Sequence, residues 1–158
     1  MVTVVENSEG TPKGLPASLA GFEDQASFSI IVNEESLGAR ESTWRPDGSF
    51  EARSIISLAG QTVQTTITIV PDNDGRWKEI VNRSPLGVRT SVREGISVTR
   101  TFKSDSQEQT TTYEIPLGAV LFDNDAPALI SQALRLYDHN KGGAQKFPAL
   151  IGGRPPVE

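Results

Sequence analysis

The chain has no cysteine among its 158 residues and only one histidine, His139. Without cysteine there are no disulfides, thiolate nucleophiles, cysteine-ligated zinc sites or iron–sulfur clusters. The sequence also lacks a Gly-x-Ser-x-Gly nucleophile elbow and a glycine-rich phosphate loop. Any Ser-His-Asp triad would depend on His139. These absences remove most kinds of catalytic equipment, and we expect neither a cofactor nor a metal.

Basic residues are few and scattered, and the formal net charge is -5. Nucleic acids and anionic membranes bind clustered lysine and arginine, so we expect neither as a partner. No apolar run approaches the roughly 20 residues that span a bilayer, and we expect no membrane span. The first residues have neither the basic start nor the apolar core of a signal peptide.

From Ala26 to Ile115, apolar and polar residues alternate with a period of two between short turns. The alternation is cleanest over 61–70, where β-branched residues suit a half-solvated strand. Arg45-Pro-Asp-Gly48 is a strong turn signal because proline presets one φ and glycine permits a positive one. Connections this short fit hairpins and leave no room for parallel crossovers. We therefore predict a mainly β fold, an antiparallel meander of about eight or nine strands.

One amphipathic helix is predicted over 125–138. Apolar residues recur there at spacings of three and four, namely Ala126, Leu129, Ile130, Ala133, Leu134 and Tyr137. Asp125 is the expected N-cap, and Pro127 falls in the first turn, where a missing N–H costs little. The predicted boundaries are a flexible leader (1–24), a single β-rich domain (25–151) and a tail (152–158).

The predicted sheet has one apolar face, and only one helix is available to cover it. Uncovered apolar surface costs roughly 25 cal/mol per Å². A strongly curved sheet, or half-barrel, wrapped around the C-terminal helix would hide that face and leave a cavity between the two. Residues predicted to line the cavity and bind a ligand are Phe50, Trp77, Phe102, Arg100, Leu129 and Ala133.

Arg100 and Glu79 are charged residues that fall in phase with the apolar residues of their predicted strands. Arg100 shares a phase with Phe102, so it either anchors an anionic head group in the cavity or is turned outward by a bulge. Glu79 is in phase with Trp77, so it likewise either faces the cavity or is turned outward. Cross-strand ion pairing on the solvated face is the preferred explanation for the other charges.

Three residues are weak candidates for acid–base catalysis: Glu41, Glu79 and His139. For His139, an exposed position near the helix C-terminus, where a cation suits the helix dipole, is favoured over a role as general base. We therefore assign no catalytic residue, and the expectation leans away from an enzyme.

The segment Phe28-Ser-Ile-Ile-Val-Asn-Glu-Glu-Ser-Leu-Gly38 resembles the start of the bacterial LolA/LolB-like carrier superfamily. Other segments resemble a β-rich region ahead of α/β-hydrolase domains of the prolyl-oligopeptidase type, namely 43–51, 84–87, 118–124 and the helix end 133–138. The first resemblance implies a curved antiparallel half-barrel with a helix-lined apolar cavity. The second transfers no catalytic residues, because a hydrolase triad would lie in another domain.

The function expected from these features is a non-enzymatic binding or accessory domain that holds a lipid or acyl chain between sheet and helix. One alternative is the N-terminal accessory part of a hydrolase, or a cofactor-free enzyme that uses the cavity. Another is an oligomerisation module, such as a homodimer that pairs through sheet edges. The resemblance implies the bacterial periplasm or export, with the cytoplasm as the alternative.

Overall fold

The computed structural model describes residues 23–73, 75–116, 118–123, 126–131, 134 and 137–152. The predicted leader lies almost wholly outside these ranges, and so does nearly all of the predicted tail. Both assignments stay predictions.

An eight-stranded antiparallel meander dominates the fold, and each strand pairs with the next along the chain. The strands are β1 (Asp24–Val32), β2 (Glu35–Trp44), β3 (Phe50–Leu58), β4 (Gln61–Pro71), β5 (Trp77–Ser84), β6 (Gly87–Glu94), β7 (Ser97–Lys103) and β8 (Glu108–Glu114). The predicted mainly β, antiparallel meander is confirmed. The sheet does not close into a barrel, so β1 and β8 are its edges.

A second, two-stranded sheet follows the meander. It pairs β9 (Val120–Phe122) with β10 (Ala149–Ile151) in parallel. The backbone N–H of Val120 donates to the carbonyl of Pro148 at 2.9 Å, and that of Gly152 donates to the carbonyl of Phe122 at 2.8 Å. The prediction of antiparallel pairing concerned the meander, and this parallel pair lies outside it. The stretch between β9 and β10 is long enough for a crossover connection, unlike the hairpin turns of the meander.

The predicted C-terminal helix is only partly described. Residues Pro127–Ile130 form a 3-10 helix whose N-cap is Ala126, with no side-chain capping hydrogen bond. The expected N-cap, Asp125, and the expected ligand residue Ala133 lie outside the described residues. The wrapping of the sheet around a helix stays a prediction.

Cross-strand pairing defines the two faces of the sheet, since directly paired residues point the same way. One row runs Trp44, Phe50, Ile69, Ile80, Ser91, Arg100 and Thr111 from β2 to β8, and the next runs Ser42, Ala52, Ile67, Asn82, Arg89, Phe102 and Gln109. We call the face that carries these rows the inner face. It is largely apolar on β2–β4 and becomes polar and cationic on β6 and β7.

The hydrophobic core lies at one end of the inner face. Sheet residues of this buried cluster are Trp44, Phe50, Ala52, Ile67, Ile69, Trp77 and Val98, and the chain after β8 adds Ile115, Ala119, Leu121, Ala126, Leu129 and Leu150. The Trp44 and Phe50 rings pack with centroids 4.5 Å apart. The chain after β8 therefore covers this end of the sheet. Towards the hairpin ends of β1 and β4, Phe28 and Val63 remain 43% and 42% exposed.

A β-bulge separates Trp77 from Glu79. Val70 pairs with Glu79 but Pro71 pairs with Trp77, so Lys78 is an extra residue in β5. Such a bulge changes the side to which the preceding side chain points. Trp77 joins the core, whereas Glu79 lies on the outer face. The prediction that Glu79 shares a phase with Trp77 is wrong for this reason.

Candidate functional site

An apolar cavity of about 390 Å³ lies beside the small parallel sheet. We call it the C-terminal cavity. The described residues of its walls are Val120, Leu121, Phe122, Ile130, Leu134, Tyr137, His139, Gly143, Phe147 and Ala149. Small-molecule sites in proteins are typically 300–1,000 Å³ and mostly apolar. The cavity therefore has the size and lining of a site for a small apolar molecule.

Two aliphatic side chains of this wall are open to solvent. Ile130 ends the 3-10 helix and is 42% exposed, and Leu134, four residues later, is 66% exposed. Phe122 and Ala149 come from the paired strands β9 and β10. Strands and the chain after the 3-10 helix thus present apolar surface to the same space.

Polar groups of the wall are held by local hydrogen bonds. The Tyr137 hydroxyl donates to the Gly143 carbonyl at 2.7 Å, and the His139 ring meets the Tyr137 ring edge-on at 5.0 Å. Gln145 exchanges two hydrogen bonds with the Asp138 backbone, at 2.9 and 2.7 Å. Because the Tyr137 hydroxyl is already bonded, its ring contributes mainly apolar surface to the cavity.

A second cavity, of about 320 Å³, lies on the inner face of β6–β8. We call it the arginine cavity. It is lined by Arg89, Arg100, Phe102, Gln107, Gln109 and Thr111. The register runs without interruption from β6 to β8. Arg100 therefore shares the face of Phe102, and the alternative in which a bulge turns it outward is wrong.

Five of the six residues predicted to bind a ligand are described, and these five do not converge on one cavity. Phe50, Trp77 and Leu129 are buried in the core, where they contact other side chains. Arg100 and Phe102 line the arginine cavity. The prediction of a single ligand site between sheet and helix is not met at these positions, because the chain after β8 fills that space.

The three weak catalytic candidates lie on separate parts of the fold. Glu41, on β2, is exposed and pairs with Ser27 and Arg53. Glu79 is on β5, three strand spacings away, or roughly 14 Å. His139 is exposed at the C-terminal cavity. Nothing in this placement forms an acid–base pair.

Sequence reasoning missed the C-terminal cavity and Arg89. Ile130, Leu134 and Tyr137 stood out as one apolar stripe, but the stripe was assigned to covering the sheet. For Arg89 the sequence signal was weak. Arg89 lies two residues before Ser91 and four before Arg93 on β6, a spacing that places all three on one face of the strand. Among the described residues, no three histidine, aspartate or glutamate side chains lie close enough to hold a metal ion.

The pKa of Tyr113 provides a test of where Arg100 lies. Burial raises the pKa of Tyr113 above its ordinary value of 10.0, and the positive charge of Arg100 partly opposes that rise. We expect Arg100→Gln to raise the pKa of Tyr113 further, as followed by carbon NMR of the two tyrosines. An unchanged pKa would show that Arg100 points away from Tyr113.

The raised pKa of Tyr113 sets the direction in which the stability of the fold changes with pH. Because the pKa of Tyr113 is raised in the folded state, its contribution to the free energy of unfolding is complete below about pH 10. That contribution is lost as the pH rises through the folded-state pKa. Tyr113→Phe should remove this part of the alkaline loss of stability.

Comparison with known proteins gives no match: no family model, curated protein or solved structure is significantly similar to the chain. The LolA/LolB-like and hydrolase-associated resemblances therefore stay predictions. In the part of the chain that the structure describes, no helix is both long and apolar enough to cross a membrane.

Proposed function

We propose that this chain is a non-enzymatic binding domain that takes a small, neutral, apolar ligand in its C-terminal cavity. The observation that carries the proposal is the cavity itself, about 390 Å³ with almost wholly apolar walls. Its volume is near the lower end of the range for small-molecule sites. It suits a small ring compound or part of one acyl chain better than a whole lipid.

The energetic support comes from the exposure of the wall. Ile130 and Leu134 keep 42% and 66% of their surface in water. Covering apolar surface contributes about 25 cal/mol per Å². A ligand seated between these two side chains and Phe122 would bury their exposed apolar surface, and this burial would stabilise the complex.

The composition of the cavity favours binding over catalysis. Among the described residues of the wall, His139 is the only titratable group besides the Tyr137 phenol, and none is a carboxylate or a serine. A general base needs a partner within hydrogen-bond reach. This proposal keeps the binding function expected from the sequence but moves the ligand to the C-terminal side of the fold.

The other sequence-based expectations stay open as proposals. They are a half-barrel covered by a helix, an accessory role beside a hydrolase, pairing of copies through sheet edges, and a periplasmic location. The open edges at β1 and β8 are compatible with edge pairing. None of these expectations has support comparable to the cavity.

Nile red, a neutral dye that fluoresces in apolar surroundings, tests the proposed function. We expect saturable fluorescence with the full chain. Leu134→Ser should raise the dissociation constant about fivefold, since roughly 1 kcal/mol of apolar contact is lost. Leu134 is already 66% exposed, so folding should be little affected.

Leu86→Ser is the matched control for this experiment. Leu86 is 80% exposed, precedes β6 and lies outside the cavity walls. Its replacement should leave dye binding unchanged. Equal losses in the two variants would locate the dye elsewhere and overturn the proposal.

A further inference from the structure

The arginine cavity combines two cations with neutral hydrogen-bond donors and one aromatic ring. Arg89 and Arg100 come from adjacent strands, Gln109 and Thr111 come from β8, and Gln107 precedes that strand. None of the six described residues that line the cavity is a carboxylate. In a chain of net charge -5, this part of the surface is locally positive.

Register places the two arginines as diagonal neighbours. Arg89 pairs with Phe102, and Arg100, two residues before Phe102, pairs with Ser91 and Thr111. Diagonal neighbours on one face of an antiparallel pair are about 7–8 Å apart. Guanidinium groups at the ends of such side chains can reach one shared anion between them.

One donor of the charged Arg89 guanidinium has no acceptor among the described residues. This donor, the Nε atom, is shielded from solvent. A shielded, charged donor without an acceptor costs free energy. An anion in the cavity would supply the acceptor.

The ring of Phe102 lies beside these donors and close to the backbone of the β5–β6 hairpin. A Cβ atom at Gly87 would lie 3.1 Å from Cε2 of Phe102 and would also overlap the carbonyl oxygen of Lys103. Gly87 has a φ of +136°, which favours glycine. The backbone of β6 therefore packs close to the ring and leaves it as an apolar wall of the cavity.

We propose that the arginine cavity binds an organic oxyanion. Its charged oxygens would accept hydrogen bonds from Arg89 and Arg100, and its apolar body would lie against Phe102. Phosphate, sulfate and carboxylate groups share this chemistry. The site is separate from the C-terminal cavity, since no described residue lines both.

Phenyl phosphate, phenyl sulfate and benzoate are the probes, with benzyl alcohol as the neutral control of the same apolar body. Each is titrated into the full chain at constant ionic strength in chloride, and the Nε–H signals of arginine are followed by NMR. We expect at least one anion to shift the Arg89 and Arg100 signals saturably. The tightest anion identifies the head group.

Arg89→Gln should weaken binding of that anion about tenfold, as followed on Arg100, because a charged hydrogen bond is lost. Arg83→Gln removes the same charge from an exposed position on the outer face of neighbouring β5 and should leave binding unchanged. Thermal unfolding of both variants checks that they fold. The proposal is overturned if no anion saturates, if benzyl alcohol produces the same shifts, or if Arg83→Gln weakens binding equally.

Discussion

Replacing Arg93 with methionine is expected to lower the free energy of unfolding by about 3 kcal/mol, because the change removes one partner of a largely buried ion pair. The Arg93 side chain is only 7% exposed and lies 2.8 Å from the Asp72 carboxylate. It also donates to the carbonyls of Trp77 at 2.6 Å and Gly95 at 3.1 Å. Its guanidinium carbon is 5.4 Å from the centre of the Trp77 ring. Urea unfolding measures the loss.

Arg53→Met is the control for that experiment. Arg53 is exposed, and its side chain donates a hydrogen bond to the Gln64 side chain at 3.0 Å. Surface substitutions of this kind usually change stability by about 0.5 kcal/mol or less. Similar losses for the two variants would contradict a structural role for Arg93 at the β4–β5 loop.

Gly38→Ala is expected to destabilise the fold by about 3 kcal/mol, the upper end of the usual cost of overpacking. A Cβ atom at Gly38 would overlap the carbonyl oxygen of Ile55 and lie 2.9 Å from Cα of Ile56. Both contacts are with backbone of the neighbouring strand, so β2 and β3 would have to separate. Thermal and urea unfolding would show the effect.

Gly60→Ala separates crowding from backbone strain. Gly60 has a φ of +79° and nothing within 4 Å of an added Cβ. The left-handed conformation costs a residue with a Cβ about 1–2 kcal/mol. If Gly38→Ala costs no more than Gly60→Ala, close strand contact at Gly38 is not the cause.

Strand boundaries could be predicted because their signals are local. The predicted strand over 61–70 is observed as Gln61–Pro71. In the turn after β2, the Asp47 carboxylate accepts hydrogen bonds from the backbone N–H and hydroxyl of Ser49, and Gly48 has a φ of +88°. A short stretch of sequence contains everything that forms such a turn.

Features that depend on distant partners could not be predicted. Trp77 enters the core beside a bulge in β5. Its backbone carbonyl accepts a hydrogen bond from Arg93, sixteen residues later. The parallel pair β9–β10 joins three-residue strands that are too short to show a periodic pattern. Strict alternation consequently misplaced Glu79 and did not predict the parallel pairing of the small sheet.

The kinds of side chain at the candidate sites could be predicted from the sequence, but their positions could not. An apolar ligand and an anion-binding Arg100 both followed from the pattern, although one shared cavity was expected. The structure separates them into an apolar cavity around Leu134 and a cationic one around Arg89. Because the core residues Phe50, Trp77 and Leu129 fill the space once assigned to the ligand, the pattern alone could not locate either site.

Methyl NMR of the full chain titrated with decanol tests the central claim most directly. Decanol is neutral, so it does not compete for an oxyanion site. We expect saturable shifts of the Ile130, Leu134 and Val120 methyl signals, with the exposed Leu58 and Val63 at the far hairpin unaffected. Shifts centred on Leu58 and Val63, or no saturation at the cavity methyls, would contradict apolar-ligand binding in the C-terminal cavity.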